Sequence, residues 1–287
     1  MGQAGITSRP PTDRHPTPAL PARRGFGWLL ATTLLWAETG AHPADADDVG
    51  AVYAAYWAGV PAAQIRLSLS EDAAAYRSRI EITTEGLPAL LSRFRATAIA
   101  EGRLGADRPV QPEHYDAIYD LRKRHNSHIS MLFIDRAGAV VAERGPEDTS
   151  HKPPLAEGFR RNAVDPLTAL ERIRGAVRTL RQRPEGSFTV PVFDGARRFD
   201  IIGRMLPSKD AADRVLQVEL TLRPIAGFKG ETSDDGDPDN APRKVALTVT
   251  NDEWVMPLSI TVPVFYLPLV VRLDHLCTTT DTCSGKE

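Results

Sequence analysis

The chain has 287 residues, of which 42% are hydrophobic and 25% are charged, and its formal net charge is −2 at pH 7. This composition is typical of a globular protein, and the small net charge excludes a strongly basic nucleic-acid-binding protein and an acidic solvating tail. The 23 prolines and 21 glycines indicate a fold with many turns.

The N-terminal segment, residues 1–46, has the pattern of a secretory signal peptide. Arg23-Arg24 precede the apolar run GFGWLLATTLLWA (25–37), and small-residue cleavage sites end at Ala41 and Ala46. The run is too short to cross a bilayer as a helix, which takes roughly 20 residues. The alternatives are a buried N-terminal helix and, for the export route, a twin-arginine signal. We expect export to the periplasm and a single mature β-rich domain, residues 47–287.

The mature chain alternates apolar and polar residues over most of its length, which predicts β-strands. The predicted strand segments are separated by Gly, Pro, Asp or Ala. They cover residues 51–59, 63–70, 75–85, 90–104, 113–125, 128–135, 139–144, 187–193, 196–205, 214–223, 244–250 and 258–273.

One segment, residues 165–182, changes to a helical period. Asp165 is a good N-cap, and Pro166 suits the first helical position. The apolar residues recur at spacings of three or four and form a stripe, with arginines on the remaining positions. The stripe is Leu167, Leu170, Ile173, Val177 and Leu180, and the arginines are Arg172, Arg174, Arg178 and Arg181. We predict a mainly β fold: a curved antiparallel meander of about ten strands, half-barrel or barrel-like, with one amphipathic helix.

The C-terminal apolar segment, residues 255–273, contains Pro257, Pro263 and Pro268. These prolines favour strand–turn–strand over a membrane span, so we expect no transmembrane span in the mature chain. The two cysteines, Cys277 and Cys283, follow closely. In an oxidising compartment such a pair is expected to form a disulfide, because the redox alternative needs the shorter C-x-x-C spacing.

Local motifs for catalysis and cofactor binding are absent from the sequence. It contains no G-x-S-x-G, no G-x-G-x-x-G and no G-x-x-x-x-G-K-[ST]. His125 and His128 would face each other in a tight hairpin, but no third histidine or cysteine is close in sequence. Residues 235–239 resemble the start of a calcium loop, but Asn240 replaces the required glycine. We predict no catalytic residues, no metal and no cofactor.

Two groups of residues are candidates for binding. Residues 160–204 contain ten arginines and five acids, an excess that suits an anionic lipid, a phosphate or an acidic partner, or else a solvated helix face. Tyr53, Tyr56 and Trp57 line either an apolar cavity or the core.

The stretch FTVPVFDGARRFDIIG (188–203) predicts a β-hairpin. Asp194-Gly195 is a two-residue turn signal, which would pair Phe193 with Ala196 and Val190 with Phe199. Arg197 would close the turn end of the core face. Arg198 and Asp200 would form a surface ion pair on the other face. The candidate surface or ligand-binding residues are therefore Tyr53, Trp57, Arg197, Arg198 and Asp200.

Four stretches resemble a known family when read in order. They are VYAAYWAGVPAAQIRLSLS, VDPLTAL, VPVFDGARRFD and RPIAGFKGE. They are similar to the proteobacterial exported proteins grouped as domain-of-unknown-function family 3108, over most of residues 50–275. The resemblance implies a periplasmic β protein and carries no catalytic residue with it.

These observations favour a non-enzymatic exported protein of the cell envelope, with a concave apolar sheet face that serves envelope maintenance or binds an amphiphile or another apolar ligand. One alternative is an exported hydrolase whose acid and base lie on different strands. Another is a scaffold subunit of an envelope complex that docks through the arginine-rich helix face.

Overall fold

The computed structural model describes residues 47–86, 89, 93–105, 108–121, 124–134, 140–145, 155–182, 185–207, 214–228, 241–264 and 267–277. The predicted signal segment (1–46) and the acidic segment 235–239 lie outside these residues. No helix in the described ranges is long and apolar enough to cross a membrane.

The described residues form thirteen strands and two helices, where the sequence predicted about ten strands and one helix. The first half contains β1 (Asp47–Trp57), β2 (Val60–Glu71), β3 (Ala75–Thr84), β4 (Arg95–Gly105), β5 (Arg108–Leu121), β6 (Arg124–Phe133) and β7 (Val140–Gly145). The helices are α1 (Glu157–Arg160) and α2 (Pro166–Leu180). The second half contains β8 (Ser187–Phe193), β9 (Arg198–Met205), β10 (Val215–Ala226), β11 (Arg243–Thr250), β12 (Pro257–Val264) and β13 (Leu267–Cys277).

All thirteen strands belong to one sheet, in the order β7-β6-β5-β4-β3-β2-β1-β13-β12-β11-β10-β9-β8. Consecutive strands pair antiparallel, so the sheet consists of two meanders, β1–β7 and β8–β13. The two meanders join where the first strand pairs with the last, as in Tyr53 with Leu273. The predicted antiparallel meander is confirmed, and the pairing of β1 with β13 places both strands in the middle of the sheet.

The sheet curves around α2. This helix packs chiefly against β3, β4 and β5 on one wing and β8 and β9 on the other. In the strand order, β5 and β8 are ten positions apart. A flat sheet would separate them by about 48 Å at roughly 4.8 Å per strand, far more than the 10–12 Å width of a helix. Contact with both wings therefore requires the curved, barrel-like form that the sequence predicted.

The face of the sheet turned towards α2, the concave face, contains the core. Along β10, Leu216, Val218 and Leu220 are buried while Gln217 is exposed, so alternate residues face the helix. The apolar stripe of α2 meets them, and Ile173 and Val177 belong to the same cluster. Burying each such side chain contributes about 1.5–3 kcal/mol, which explains why the helix stays on this face.

The histidine hairpin of the sequence analysis is wrong. His125 and His128 lie in one strand, β6, and the chain reverses before Arg124 instead of between the two histidines. The two histidines therefore do not stand across a turn from each other in the way that the sequence predicted. In the described ranges, no group of three or more His, Cys, Asp or Glu side chains is arranged to hold a metal.

Candidate functional site

A buried polar network begins at the N-terminus of α2. Asp165 caps the helix, with Oδ1 accepting from the Leu167 and Thr168 N–H groups at 2.9 and 2.8 Å. The Thr168 hydroxyl donates to Asp165 Oδ2 and also lies 2.6 Å from the Tyr76 hydroxyl on β3. Burial raises the pKa of Asp165 to about 6, although these hydrogen bonds oppose the rise. The predicted N-cap thus also ties the helix to the sheet.

The network continues one turn further along the helix. Glu171 accepts a hydrogen bond from Ser78 Oγ at 2.6 Å and pairs with Arg174. Arg174 Nη1 also contacts Glu71 of β2, and Arg174 Nε donates to the Trp254 carbonyl at 2.7 Å. Arg174 is 1% exposed, and its guanidinium lies 5.5 Å from the centre of the Trp254 ring. The network joins the helix to β2, β3 and the segment before β12.

Two buried polar atoms beside this network have no hydrogen-bond partner: Tyr53 Oη and Arg174 Nη2. Tyr53 lies in the middle of β1, on the concave face, and is 4% exposed. Burial raises the pKa of Tyr53, and the positive charge of Arg174 acts in the opposite direction, which places the two groups near each other. Unsatisfied buried polar atoms are rare in native proteins and call for a partner.

Three arginines of α2 donate hydrogen bonds to backbone carbonyls of other segments. Arg172 Nε donates to the Val110 carbonyl at 3.0 Å. Arg178 Nε donates to the Glu253 carbonyl at 2.6 Å, and Arg181 Nη1 to the Asp252 carbonyl at 3.0 Å. Arginine can cover apolar surface with its stem and still reach a distant carbonyl. These side chains therefore hold the helix in the concave face.

The predicted β8–β9 hairpin is present, but its register is displaced by two residues. Phe193 pairs with Arg198 and Val190 pairs with Ile201, so the predicted partners Ala196 and Phe199 are wrong. A slip of two residues leaves every side chain on its original face. The predicted core face of this hairpin is therefore correct, and Val190 and Val192 are buried there.

The displacement follows from the side chain of Asp194. Its Oδ1 accepts from the Ala196 and Arg197 N–H groups at 2.9 and 2.7 Å, and its own N–H donates to the Arg197 carbonyl at 3.1 Å. Asp194 therefore closes the turn, and Gly195-Ala196 form its centre. Gly195 has φ 88°, and glycine in the first central position is the arrangement of a type II′ turn.

The charged residues around this hairpin are paired within the chain. Asp200 accepts from Arg198 at 2.7 Å and from Arg223 of β10 at 2.7 Å. The Arg198 and Asp200 side chains are only 13% and 11% exposed, so the predicted surface ion pair is partly buried. Arg197 pairs with Asp194 and lies 5.5 Å from the centre of the Phe228 ring. These pairs join the motif FDGARRFD to RPIAGF.

The other end of the concave face is apolar and partly open. Tyr53 and Trp57 point to the same side of β1, because their partners on β13, Leu273 and Leu269, are also four residues apart. Four side chains on the same face of β12 and β13, which we call the apolar band, are only half-buried. They are Ile260, Val262, Leu269 and Val271. The helix packs chiefly against other strands and leaves the band partly exposed.

Three exposed side chains at the end of this face form what we call the apolar rim: Trp57, Val60 and Leu267. They are 39%, 40% and 46% exposed. Trp57 pairs with Val60 across the β1–β2 turn, and the Ala58 N–H donates to the Pro268 carbonyl at 3.1 Å, which joins this turn to the start of β13. Of the predicted binding residues, Tyr53 and Trp57 therefore share one apolar face, while Arg197, Arg198 and Asp200 lie elsewhere.

A separate cavity of about 380 Å³ opens on the opposite face of the sheet. Glu219 pairs with Ala246, and Ala246 with Thr261, so these residues share that face. Lys244 Nζ lies 3.7 Å from Glu219 Oε2 beside the cavity. Leu267 of the apolar rim also lines this cavity, whereas Trp57 and Val60 do not.

The predicted disulfide involves a residue outside the described ranges. Cys277 ends β13, is 5% exposed and packs with Val52. Cys283 lies outside the described residues, so the disulfide remains a prediction.

The fold defines a class of β proteins in which one antiparallel sheet curves around a single long helix. Residues 52–209 match the family model described as Protein of unknown function (DUF3108), and the chain belongs to this family. The resemblance drawn from the sequence is confirmed. No curated protein matches the chain. Among solved structures, the beta-barrel-like protein of domain of unknown function DUF1849 from Brucella abortus is similar, at 11% identity and a TM-score of 0.47. The match covers 80% of this chain and 96% of that chain.

Arg174 and Glu171 were not predicted as buried: the helical pattern placed Arg174 on the polar side, and Glu171 was not singled out. The signal for Arg174 was present in the spacing. It follows Leu167 by seven residues and Leu170 by four, so it lies within the apolar stripe. A charged residue within such a stripe indicates a buried, paired group.

Proposed function

We propose that this protein is a non-enzymatic, exported protein of the cell envelope that binds the acyl chain of an amphiphile on the open part of its concave face. The observation that supports this most is the apolar band with its apolar rim. Half-buried apolar side chains are grouped on one face of the middle strands, and exposed Trp57, Val60 and Leu267 stand at its end.

A contiguous exposed apolar patch on a protein marks a binding surface, because water contact with it is unfavourable. Each methylene group transferred from water to such a surface contributes about 0.8 kcal/mol, so an acyl chain gains affinity along its length. A curved sheet supplies this surface from several strands at once, while α2 covers the remainder of the face.

Export supports an envelope role. The basic, apolar and small-residue regions of residues 1–46 have the order of a secretory signal. A disulfide between Cys277 and Cys283 would form in the same compartment and hold the chain that follows β13. The membranes that bound this compartment contain amphiphiles, so an exported acyl-binding protein would meet its ligand there.

The proposal is tested by titrating the purified mature protein with a fluorescent single-chain acyl probe. The wild type should bind the probe saturably. Val60→Lys places an ammonium group at the apolar rim, where the acyl chain would contact it, and should weaken binding about tenfold, or 1.4 kcal/mol.

Leu132→Lys is the matched control. Leu132 is exposed, at 56%, as Val60 is at 40%, but it lies on β6 and faces the opposite side of the sheet. This variant should bind like the wild type. Absence of saturable binding by the wild type would refute the proposal. Loss of binding in Ala246→Trp, with Val60→Lys unaffected, would instead place the ligand in the cavity lined by Ala246.

A further inference from the structure

We propose that Tyr53 and Arg174 form the polar end of this site and bind a neutral carbonyl group, such as the ester or amide of an acyl amphiphile. This inference rests on the proposed function and names the chemical class of the ligand.

Arg174 and Tyr53 carry buried donors that have no hydrogen-bond partner. Arg174 uses Nε for the Trp254 carbonyl and Nη1 for Glu71 and Glu171. Its Nη2 carries two further N–H donors, and neither has a partner. The Tyr53 hydroxyl is likewise unpartnered. Arg174 is 1% exposed and Tyr53 4% exposed, so water from the bulk solvent does not satisfy them. The missing partner is a hydrogen-bond acceptor.

The charges around Arg174 are already balanced within the protein. Arg174 contacts two carboxylates, Glu71 and Glu171, and Arg178 lies 3.5 Å from Glu71. Two guanidinium groups therefore already balance two carboxylates. A third carboxylate, from a free fatty acid, would bring an unbalanced charge into a buried place, which is costly. A carbonyl oxygen accepts the same hydrogen bonds without a net charge.

The concave face is continuous from Tyr53 to the apolar rim. Tyr53 and Trp57 are four residues apart on one side of β1, about 13 Å at roughly 3.3 Å per residue. Leu273, Val271 and Leu269 face the same side of the neighbouring strand. A ligand whose carbonyl lies at Tyr53 can therefore extend its acyl chain along the apolar band to the apolar rim.

The test compares a fluorescent acyl methyl ester with the matching free acid on the mature protein and on Tyr53→Phe. The wild type should bind the ester about tenfold more tightly than the acid. Tyr53→Phe removes only the hydroxyl and should weaken ester binding about tenfold, the equivalent of one hydrogen bond. It should leave the fold intact, since the hydroxyl bonds to nothing in the protein.

Tyr76→Phe is the control. The Tyr76 hydroxyl is also buried but is bonded to Thr168 at 2.6 Å. This variant should lower the melting temperature and keep the wild-type affinity for the ester. Equal ester affinity in wild type and Tyr53→Phe, or tighter binding of the acid, overturns the inference while the proposed function stands. A crystal structure of the ester complex with only a water molecule at Tyr53 and Arg174 also overturns it. Failure of the wild type to bind either probe refutes the proposed function itself.

Discussion

At the scale of single residues, Asp165 and Asp200 are two buried carboxylates in opposite surroundings. Asp165 is fully buried beside neutral donors, and burial raises its pKa to about 6. Burial also acts to raise the pKa of Asp200, but hydrogen bonds from Arg223 and Arg198 outweigh it and hold that pKa below its usual value. The pH dependence of stability should therefore have opposite signs at the two positions.

We predict that Asp165 makes the folded state less stable as pH rises. Its pKa is 3.8 in the unfolded chain and about 6 in the folded protein. Between these values the folded state binds more protons, so its stability falls as pH increases from 4 to 6. The free energy of unfolding, measured in urea, should be lower at pH 7 than at pH 4. This decrease should be larger in the wild type than in Asp165→Asn, by up to about 3 kcal/mol.

Asp165→Asn is a suitable reference because an amide oxygen still accepts from the helix N–H groups. A difference between the two proteins that stays constant from pH 4 to pH 7 would contradict this prediction. For Asp200, whose pKa is lowered, the stabilising contribution is present above its unfolded value and is lost as pH falls below about 4.

We predict that Asp200→Ala destabilises the protein by about 2 kcal/mol, because it leaves the largely buried guanidinium of Arg198 without its carboxylate partner. On the sequence alone this substitution was expected to cost little, since the pair was placed on the surface. Arg204→Ala is the control: Arg204 is 62% exposed and its pair with Glu219 should contribute no more than about 1 kcal/mol. Equal unfolding midpoints for the two variants in urea would contradict the burial argument.

At the scale of elements, the β8–β9 hairpin shows how one side chain shifts a register. Asp194-Gly195 is a strong turn signal, and alternation assigns each residue to a face. Neither observation distinguishes a turn centred on Asp194-Gly195 from one centred on Gly195-Ala196, because both place the same residues in the core. The hydrogen bonds of Asp194 Oδ1 decide between them.

We predict that Gly195→Val destabilises the fold by about 1–2 kcal/mol or more. Gly195 has φ 88°, a conformation that a β-branched residue adopts only with strain. The control is Gly175→Ala in α2, where an added Cβ meets nothing within 4 Å. It should stabilise the protein by about 0.5–1 kcal/mol through helix propensity. Thermal unfolding of both variants tests the pair, and a Gly195→Val protein that melts like the wild type would show that the turn is not strained.

The helix shows a different relation between pattern and packing. Its capping residue and apolar stripe correctly predicted α2 as Pro166–Leu180 within residues 165–182. The arginines were placed in solvent because charge normally indicates a solvated face. In the folded protein their partners are carbonyls and carboxylates from strands and turns distant in sequence, which the helical pattern does not contain.

At the scale of the whole molecule, cleavage after Ala46 would leave every described strand intact. Asp47, the residue after Ala46, is the first residue of β1 and pairs with Glu71. We predict that export removes residues 1–46, and the alternative cleavage site would remove residues 1–41. Either cleavage leaves the described part of β1 complete.

Intact mass spectrometry of protein isolated from the periplasm provides the test. The expected mass is that of residues 47–287 less two hydrogen atoms, lost on formation of the Cys277–Cys283 disulfide. Reduction should restore those two hydrogens. Retention of Met1 or of the apolar run 25–37 would refute export with cleavage, and an unchanged mass on reduction would refute the disulfide.

The sequence by itself determined the antiparallel β class, the position of the helix and the face to which most side chains point. These properties depend on local periodicity and capping, which involve residues a few positions apart. It also indicated Tyr53 and Trp57 as candidate binding residues, although it did not distinguish a binding face from the core.

The tertiary structure alone decided the pairing of β1 with β13 and the burial of Arg174 and Asp200. Each depends on groups far apart in the chain: Arg174 contacts Glu71 across 103 residues, and Asp200 contacts Arg223 across 23. Whether a charged side chain is solvated or buried depends on which partners the curved sheet brings to it. No local pattern contains that information, because the curved sheet brings to the helix strands that are far apart in the sequence.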